Sequence, residues 1–173
     1  MSKPDTPHRF RDREVTSWDF VLGADEVLVH CPRCDARAKV ISRPGDPPAR
    51  LHDRRRLVCF ACGHAADETR EAAKTRCGPA GVGTVRDPFF GCRLWLQADC
   101  RGEVLWAYNL RHLAYLRSYV EAGLREKFVP DPANGSYRRM TMTAKLPAWL
   151  KSAKNRSEVL RVIDRLGESG GAR

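Results

Sequence analysis

Apolar positions fall into two regimes along the chain: short strand-length runs in the first half and helix-spaced stripes in the second. Residues 1–16 mix Pro, Arg, Asp and Thr without apolar periodicity, which predicts a disordered leader. After an apolar cluster at 18–22, Val27-Leu28-Val29 reads as a strand delivering the chain to Cys31, and Ala36 to Ile41 alternates as a second strand. Arg43-Pro44-Gly45-Asp46-Pro47-Pro48 is predicted as a loop, because its prolines bring no donors to a ladder. Arg56-Leu57-Val58 then leads into Cys59, so residues 17–66 form one β unit with two similar halves. Residues 67–87 turn polar and then glycine-rich and are assigned as a linker, with room for a short helical turn after Asp67.

In residues 88–167, Leu94-Trp95-Leu96 and Val104 to Tyr108 flank a turn at 99–102 and predict a β-hairpin. Asn109 stands at an N-cap position, and Leu113, Leu116, Val120 and Leu124 recur at steps of three and four, predicting a helix from Leu110 that packs on the hairpin. Pro147 suits the first turn of a short helix. Asn155 and Glu158 have capping-box spacing ahead of a stripe of Val159, Leu160, Ile163 and Leu166. Residues 129–141 read as a loop and 168–173 as a disordered tail. The fold class is therefore α+β, an N-terminal β unit followed by a hairpin packed on two to three helices.

Seven cysteines, four of them in two Cys-x-x-Cys pairs, fit thiols that hold metal better than a secreted disulfide framework. Two intervening residues let a tight turn aim both sulfurs at one point, and two such turns complete a tetrahedron. Cys31, Cys34, Cys59 and Cys62 are thus predicted to ligate one structural Zn²⁺, making the β unit a zinc ribbon. A spacer of 24 residues, 35–58, separates the pairs, and its excess length is assigned to the proline-rich loop. Gly63 tolerates the positive φ needed where the chain turns beneath the metal. A redox pair and unrelated buried thiols are the alternatives for these cysteines. His30 and His64 flank the pairs as supports or substitute ligands, and Cys77, Cys92 and Cys100 with His112 have only irregular spacing for a second site.

Lys and Arg total 31 against 21 for Asp and Glu, a formal +10 that favours an anionic partner, with nucleic acid the commonest. Eight basic residues against three acidic ones lie between Cys31 and Arg56, and eight against two between Arg138 and Arg165. From these regions Arg33, Arg37, Lys39, Arg54, Arg55, Arg56, Lys151, Lys154 and Arg156 are the candidate contacts to DNA or RNA. Trp149 interleaves with the second group, where it could stack on a base or simply fill core. Solvated charge is the plainer reading of both runs. No nucleotide loop, Gly-x-Ser-x-Gly or His-Glu-x-x-His is present, so an enzyme reading would rest on scattered His112, Arg101 and Asp99. No apolar run approaches the roughly 20 residues of a membrane span, and the N-terminus lacks a secretory apolar core, so a cytoplasmic protein is expected.

Asp87-Pro88-Phe89-Phe90-Gly91, Leu94-Trp95-Leu96-Gln97, Cys100-Arg101-Gly102, Leu105 to Asn109 and Leu146 to Arg156 together resemble bacterial proteins described as carrying a transcription-factor-IIB-type zinc ribbon. The resemblance covers about residues 26–166. It implies the same four cysteines as zinc ligands and nothing catalytic. The combined reading is a non-catalytic accessory protein that binds nucleic acid, or a complex acting on it, with a protein–protein interaction module as the alternative.

Overall fold

The computed structural model describes residues 8–13, 15–21, 26–42, 54–68, 84–126 and 141–171. The proline-rich loop at 43–48, most of the 67–87 linker, the loop before Thr141, Arg138, Arg139 and Cys77 fall outside these residues. Alternation builds the first sheet. Strands β2 (Val27–His30), β3 (Arg37–Ser42), β4 (Arg55–Val58) and β5 (Ala65–Asp67) run antiparallel in that order. The register pairs Val27 with Val40, Val29 with Ala38 and Val40 with Leu57, so one face of the sheet is continuously apolar and buried. Phe89 and Leu94, from the second half of the chain, complete that core.

Strand β2 lies at the edge of this sheet, where its outer backbone groups need partners. The Leu28 N–H donates to the Tyr108 carbonyl at 2.8 Å, the Trp95 N–H donates to the Leu28 carbonyl at 2.9 Å, and the His30 N–H donates to Arg93 at 2.8 Å. The hairpin of β6 (Leu96–Cys100) and β7 (Glu103–Ala107) is thereby joined to the cysteine-bearing sheet by main-chain bonds. Leu28 and Phe20 in turn belong to the helical core. Backbone pairing and side-chain packing therefore cross between residues 17–66 and 88–167.

Helix α1 (Leu110–Glu121) starts where Asn109 caps it: its side-chain oxygen accepts the His112 N–H at 2.8 Å, while its amide nitrogen donates to Phe20 and Glu26 carbonyls. Leu113, Leu116 and Val120 are buried, but the helix ends before the fourth residue of the expected stripe. Leu124 instead lies in β8 (Leu124–Glu126), 49% exposed. This strand pairs in parallel with β1 (Arg9–Arg11), a segment expected to be part of a disordered leader. Phe10 accounts for the difference, since one aromatic anchor sets its ring edge-on to Tyr115 and Tyr119 and is buried between them.

Two short helices, α2 (Met142–Lys145) and α3 (Ala148–Lys151), precede α4 (Arg156–Gly171). Pro147 is the cap residue of α3, one position outside the first turn predicted for it. The groups of the expected Asn155–Glu158 capping box bond elsewhere: the Asn155 backbone N–H donates to the Ser152 carbonyl, and the Glu158 carboxylate accepts from Arg101. Helix α4 also continues to Gly171, through most of the expected tail. A Cβ at Gly170 would sit 2.7 Å from Leu110 and 2.9 Å from Leu96, so glycine permits the close approach that holds this end down. Among the described residues, no helix is long and apolar enough to cross a membrane.

His112 is fully buried, stacked on Phe20 and flanked by Trp106 and Tyr108. The Tyr108 N–H donates to its Nδ1, which places the neutral ring's proton on Nε2. Burial, reinforced by the nearby Arg111 charge, pulls the imidazole down from 6.5 to about 3. Unfolding between these values takes up a proton, so this residue's stabilising contribution is complete above about pH 6.5 and is lost as pH falls towards 3. His112→Phe should be less stable at neutral pH, because Tyr108 loses its acceptor. Between about pH 6 and 4 its unfolding free energy should fall less steeply than that of the wild type, by about 1.4 kcal/mol per pH unit. Urea denaturation of both proteins at matched pH reads this difference, because the acid sensitivity of the thiols is common to the pair.

Candidate metal centre

The two Cys-x-x-Cys turns share one construction. Cys31 to Cys34 follows β2 and Cys59 to Cys62 follows β4. In each, the next residue adopts the left-handed conformation, Asp35 with φ 59° and Gly63 with φ 70°. The hydrogen bonds repeat as well. Asp35 and Gly63 donate N–H to the carbonyls of Cys31 and Cys59 at 3.0 Å, and the Cys31 and Cys59 N–H groups donate to Ala36 and His64 carbonyls at 2.8 Å. Because β2 and β4 both run antiparallel to β3, they point the same way and deliver both turns to one end of the sheet.

All four sulfurs lie within 4.8 Å of one another, with Cys31 Sγ to Cys62 Sγ at 3.8 Å and Cys34 Sγ to Cys59 Sγ at 3.6 Å. A tetrahedral ion with metal–sulfur bonds of about 2.3 Å needs sulfurs about 3.8 Å apart. A disulfide needs about 2.05 Å, and these cysteines are free thiols. The donor set and spacing therefore fit a metal ion. Each turn contributes one buried sulfur, Cys31 or Cys59, and one exposed sulfur, Cys34 or Cys62. The Arg33 amide donates to Cys31 Sγ at 3.4 Å, a main-chain hydrogen bond that orients the donor atom.

Electrostatics divides the thiols. At Cys59, burial raises the pKa, but the amides of Cys62 and Ala61 and the neighbouring sulfurs outweigh it and bring the group down to about 7. At Cys34, the Ala36 amide lowers the pKa, yet hydrogen bonding to Cys62, desolvation and the other two sulfurs together push it up to about 12. Four thiolates cannot share so small a volume without a cation, so binding a metal displaces protons.

The flanking histidines stand outside the sulfur tetrad. His30 Nδ1 is 3.0 Å from Asp35 Oδ1 and 3.1 Å from Arg93, while His64 contributes its carbonyl to the second turn. Among the described residues, only the four cysteines form a group able to hold a metal, which leaves Cys92, Cys100 and His112 apart.

Two clefts flank the centre. One, of ≈ 560 Å³, lies against the first turn and is lined by Arg33, Arg86, Phe90, Cys92 and Arg93. Its far wall is shaped by buried Asp87, whose carboxylate accepts from the amides of Phe89, Phe90 and Cys92. The other, of ≈ 410 Å³, lies against the second turn, between Phe60 and Trp95. Arg86, Arg93 and Phe60 were not singled out by the sequence reading. Asp87-Pro88 was a usable turn signal for the first two, whereas an isolated aromatic carries no mark of exposure.

The nine basic residues predicted from sequence do not form one surface. Arg33, Arg54 and Lys154 are exposed. Arg55 is only 1% exposed, with its guanidinium over the Phe89 ring and a hydrogen bond to the Ser42 hydroxyl. Arg55 and Arg56 are consecutive on β4 and so project from opposite faces, which prevents the triplet from acting as one phosphate clamp. Arg56 is 4.0 Å from Asp67, and Lys39 pairs with Glu26 at 2.7 Å. Arg37, Lys151 and Arg156 donate to the carbonyls of Gly170, Ala144 and Ala122. The scattered candidates for catalysis are equally separate: Arg101 pairs with Glu158, Asp99 is exposed on the hairpin, and His112 is sealed in the core. No protein-family profile, curated protein or solved structure matches the chain.

A Cβ at Gly63 would meet nothing within 4 Å, so its substitution tests backbone conformation alone. Gly63→Ala should cost about 1 to 2 kcal/mol through its positive φ. Competition with a colour-forming chelator should record this as roughly tenfold weaker metal retention.

Proposed function

We propose that the chain is a zinc-ribbon accessory protein that binds nucleic acid and catalyses no reaction. The observation that carries this reading is the sulfur tetrad at tetrahedral spacing, set between two clefts whose walls carry arginine and aromatic side chains. Zinc is the ion that four thiolates favour in structural sites, held by Cys31, Cys34, Cys59 and Cys62. With every position taken by sulfur, none is left for an activated water, and the ion's work is to hold the two turns together. Free thiols as ligands suit a reducing compartment, the cytoplasm.

The charge of the chain favours a polyanion. A tetrathiolate zinc site carries a formal charge of about −2, a small debit against +10. Arg33, Arg54 and Lys154 are exposed, and Arg37, although one of its N–H groups donates to the Gly170 carbonyl, pairs with no carboxylate among the described residues.

Purified protein should contain one zinc per chain by elemental analysis, and its removal by chelation should abolish the cooperative thermal transition of the four-stranded sheet. Affinity for a fluorescent oligonucleotide should fall steeply with salt, with a log–log slope that Arg54→Ala lowers by about one. Arg55→Ala should instead lower stability, by about 2 kcal/mol. Absence of binding at low salt would remove the nucleic-acid reading in favour of a protein–protein module.

A further inference from the structure

The cleft against the second cysteine turn has a chemistry that general attraction to phosphate does not require. Phe60 stands at the tip of that turn with 79% of its surface exposed, between two cysteines whose convergence fixes its backbone. Trp95 lines the same cleft, held by its indole N–H donating to the Ser169 carbonyl at 3.2 Å and by the His30 ring 4.6 Å away. Ala36 and Ala61 also line the cleft, and their small side chains take little of its space. Among the described residues, no acidic side chain lines this cleft.

Two cations border it. Lys39 shares its charge with Glu26, whereas Arg37 donates to the Gly170 carbonyl at 2.5 Å and, among the described residues, pairs with no carboxylate. Arg37 therefore brings a positioned and uncompensated charge to the edge of an aromatic slot. An apolar partner would leave that charge facing it without a counter-ion, and duplex DNA buries the faces of its bases inside the stack. An unpaired nucleotide satisfies both features, since its base offers a flat face and its phosphate a negative charge.

Building on the nucleic-acid reading above, we propose that this cleft is a single-strand subsite, in which one unpaired base stacks on Phe60 and the adjoining phosphate lies against Arg37. The protein would thus prefer single-stranded over duplex nucleic acid, with the ribbon supplying the selectivity and the remaining basic surface supplying strength.

The test uses the full-length zinc-loaded protein, an oligothymidine probe and a duplex of equal length in fluorescence anisotropy at fixed low salt. Phe60→Ala should weaken oligothymidine binding about tenfold and leave the duplex within about twofold, and Phe60→Trp should restore the single-strand affinity. Arg37→Gln should weaken oligothymidine binding and lower its salt slope by about one. Zinc content, measured on each variant, confirms that the turn is intact. If Phe60→Ala binds oligothymidine as tightly as the wild type, the subsite is disproved while nucleic-acid binding stands. If the wild type binds neither probe and Phe60→Ala instead abolishes retention of a protein partner, the nucleic-acid reading fails and the subsite fails with it.

Discussion

The convergence of four sulfurs at one end of a small sheet is the constraint on which the first half of this protein depends. Strands β2 and β4 are parallel to each other only because β3 lies between them, so the sheet and the sulfur tetrad require one another. The two turns repeat the same hydrogen bonds and the same left-handed residue after the second cysteine. One of those residues is an aspartate, which accepts that conformation more readily than most side chains and is held by His30 and Arg93. The other is a glycine, which needs no such support. An apolar core of a few valines, a leucine and two residues borrowed from elsewhere is small for an independent unit, and a metal ion held by the four cysteines would supply the cross-link it lacks.

The second half is attached through the exposed edge of β2. Main-chain bonds from Leu28 and His30 reach residues on both sides of the hairpin, and Phe89 and Leu94 enter the core of the sheet. The cysteine turns are consequently mounted on a body that includes α4, whose C-terminal end supports the second cleft through Ser169 and Gly170. A metal held by the four cysteines would leave Phe60 on a rigid base, where the proposed stacking would cost little ordering of the side chain.

Much of the positive charge has structural employment. Helix C-termini leave carbonyls without partners, and long basic side chains can reach them. Arg125 donates to Tyr119 and Val120 at the end of α1, Arg156 donates to Ala122 just beyond it, and Arg37 does the same at the end of α4. Arg55 is packed over Phe89 inside the fold. Net charge therefore overstates the surface available to a polyanion, because each of these side chains spends at least one donor inside the fold.

Local rules determined a good part of this outcome. The Cys-x-x-Cys spacing named the four residues that come together, Asn109 marked the start of α1, and the apolar run at 27–29 and the alternation at 36–41 marked the strands, because each depends on neighbours within a few positions. What local spacing could not hold is which side of an element meets another. Arg55 was indistinguishable from Arg54 until β4 turned it inward, and Leu124 continued a helical stripe until Ala122 left the helix. Strand β1 and the last turn of α4 owe their order to partners more than a hundred and about seventy residues away, Glu126 and Trp95 among them. Such long-range contacts carry no periodicity of their own, so only the tertiary structure could decide them.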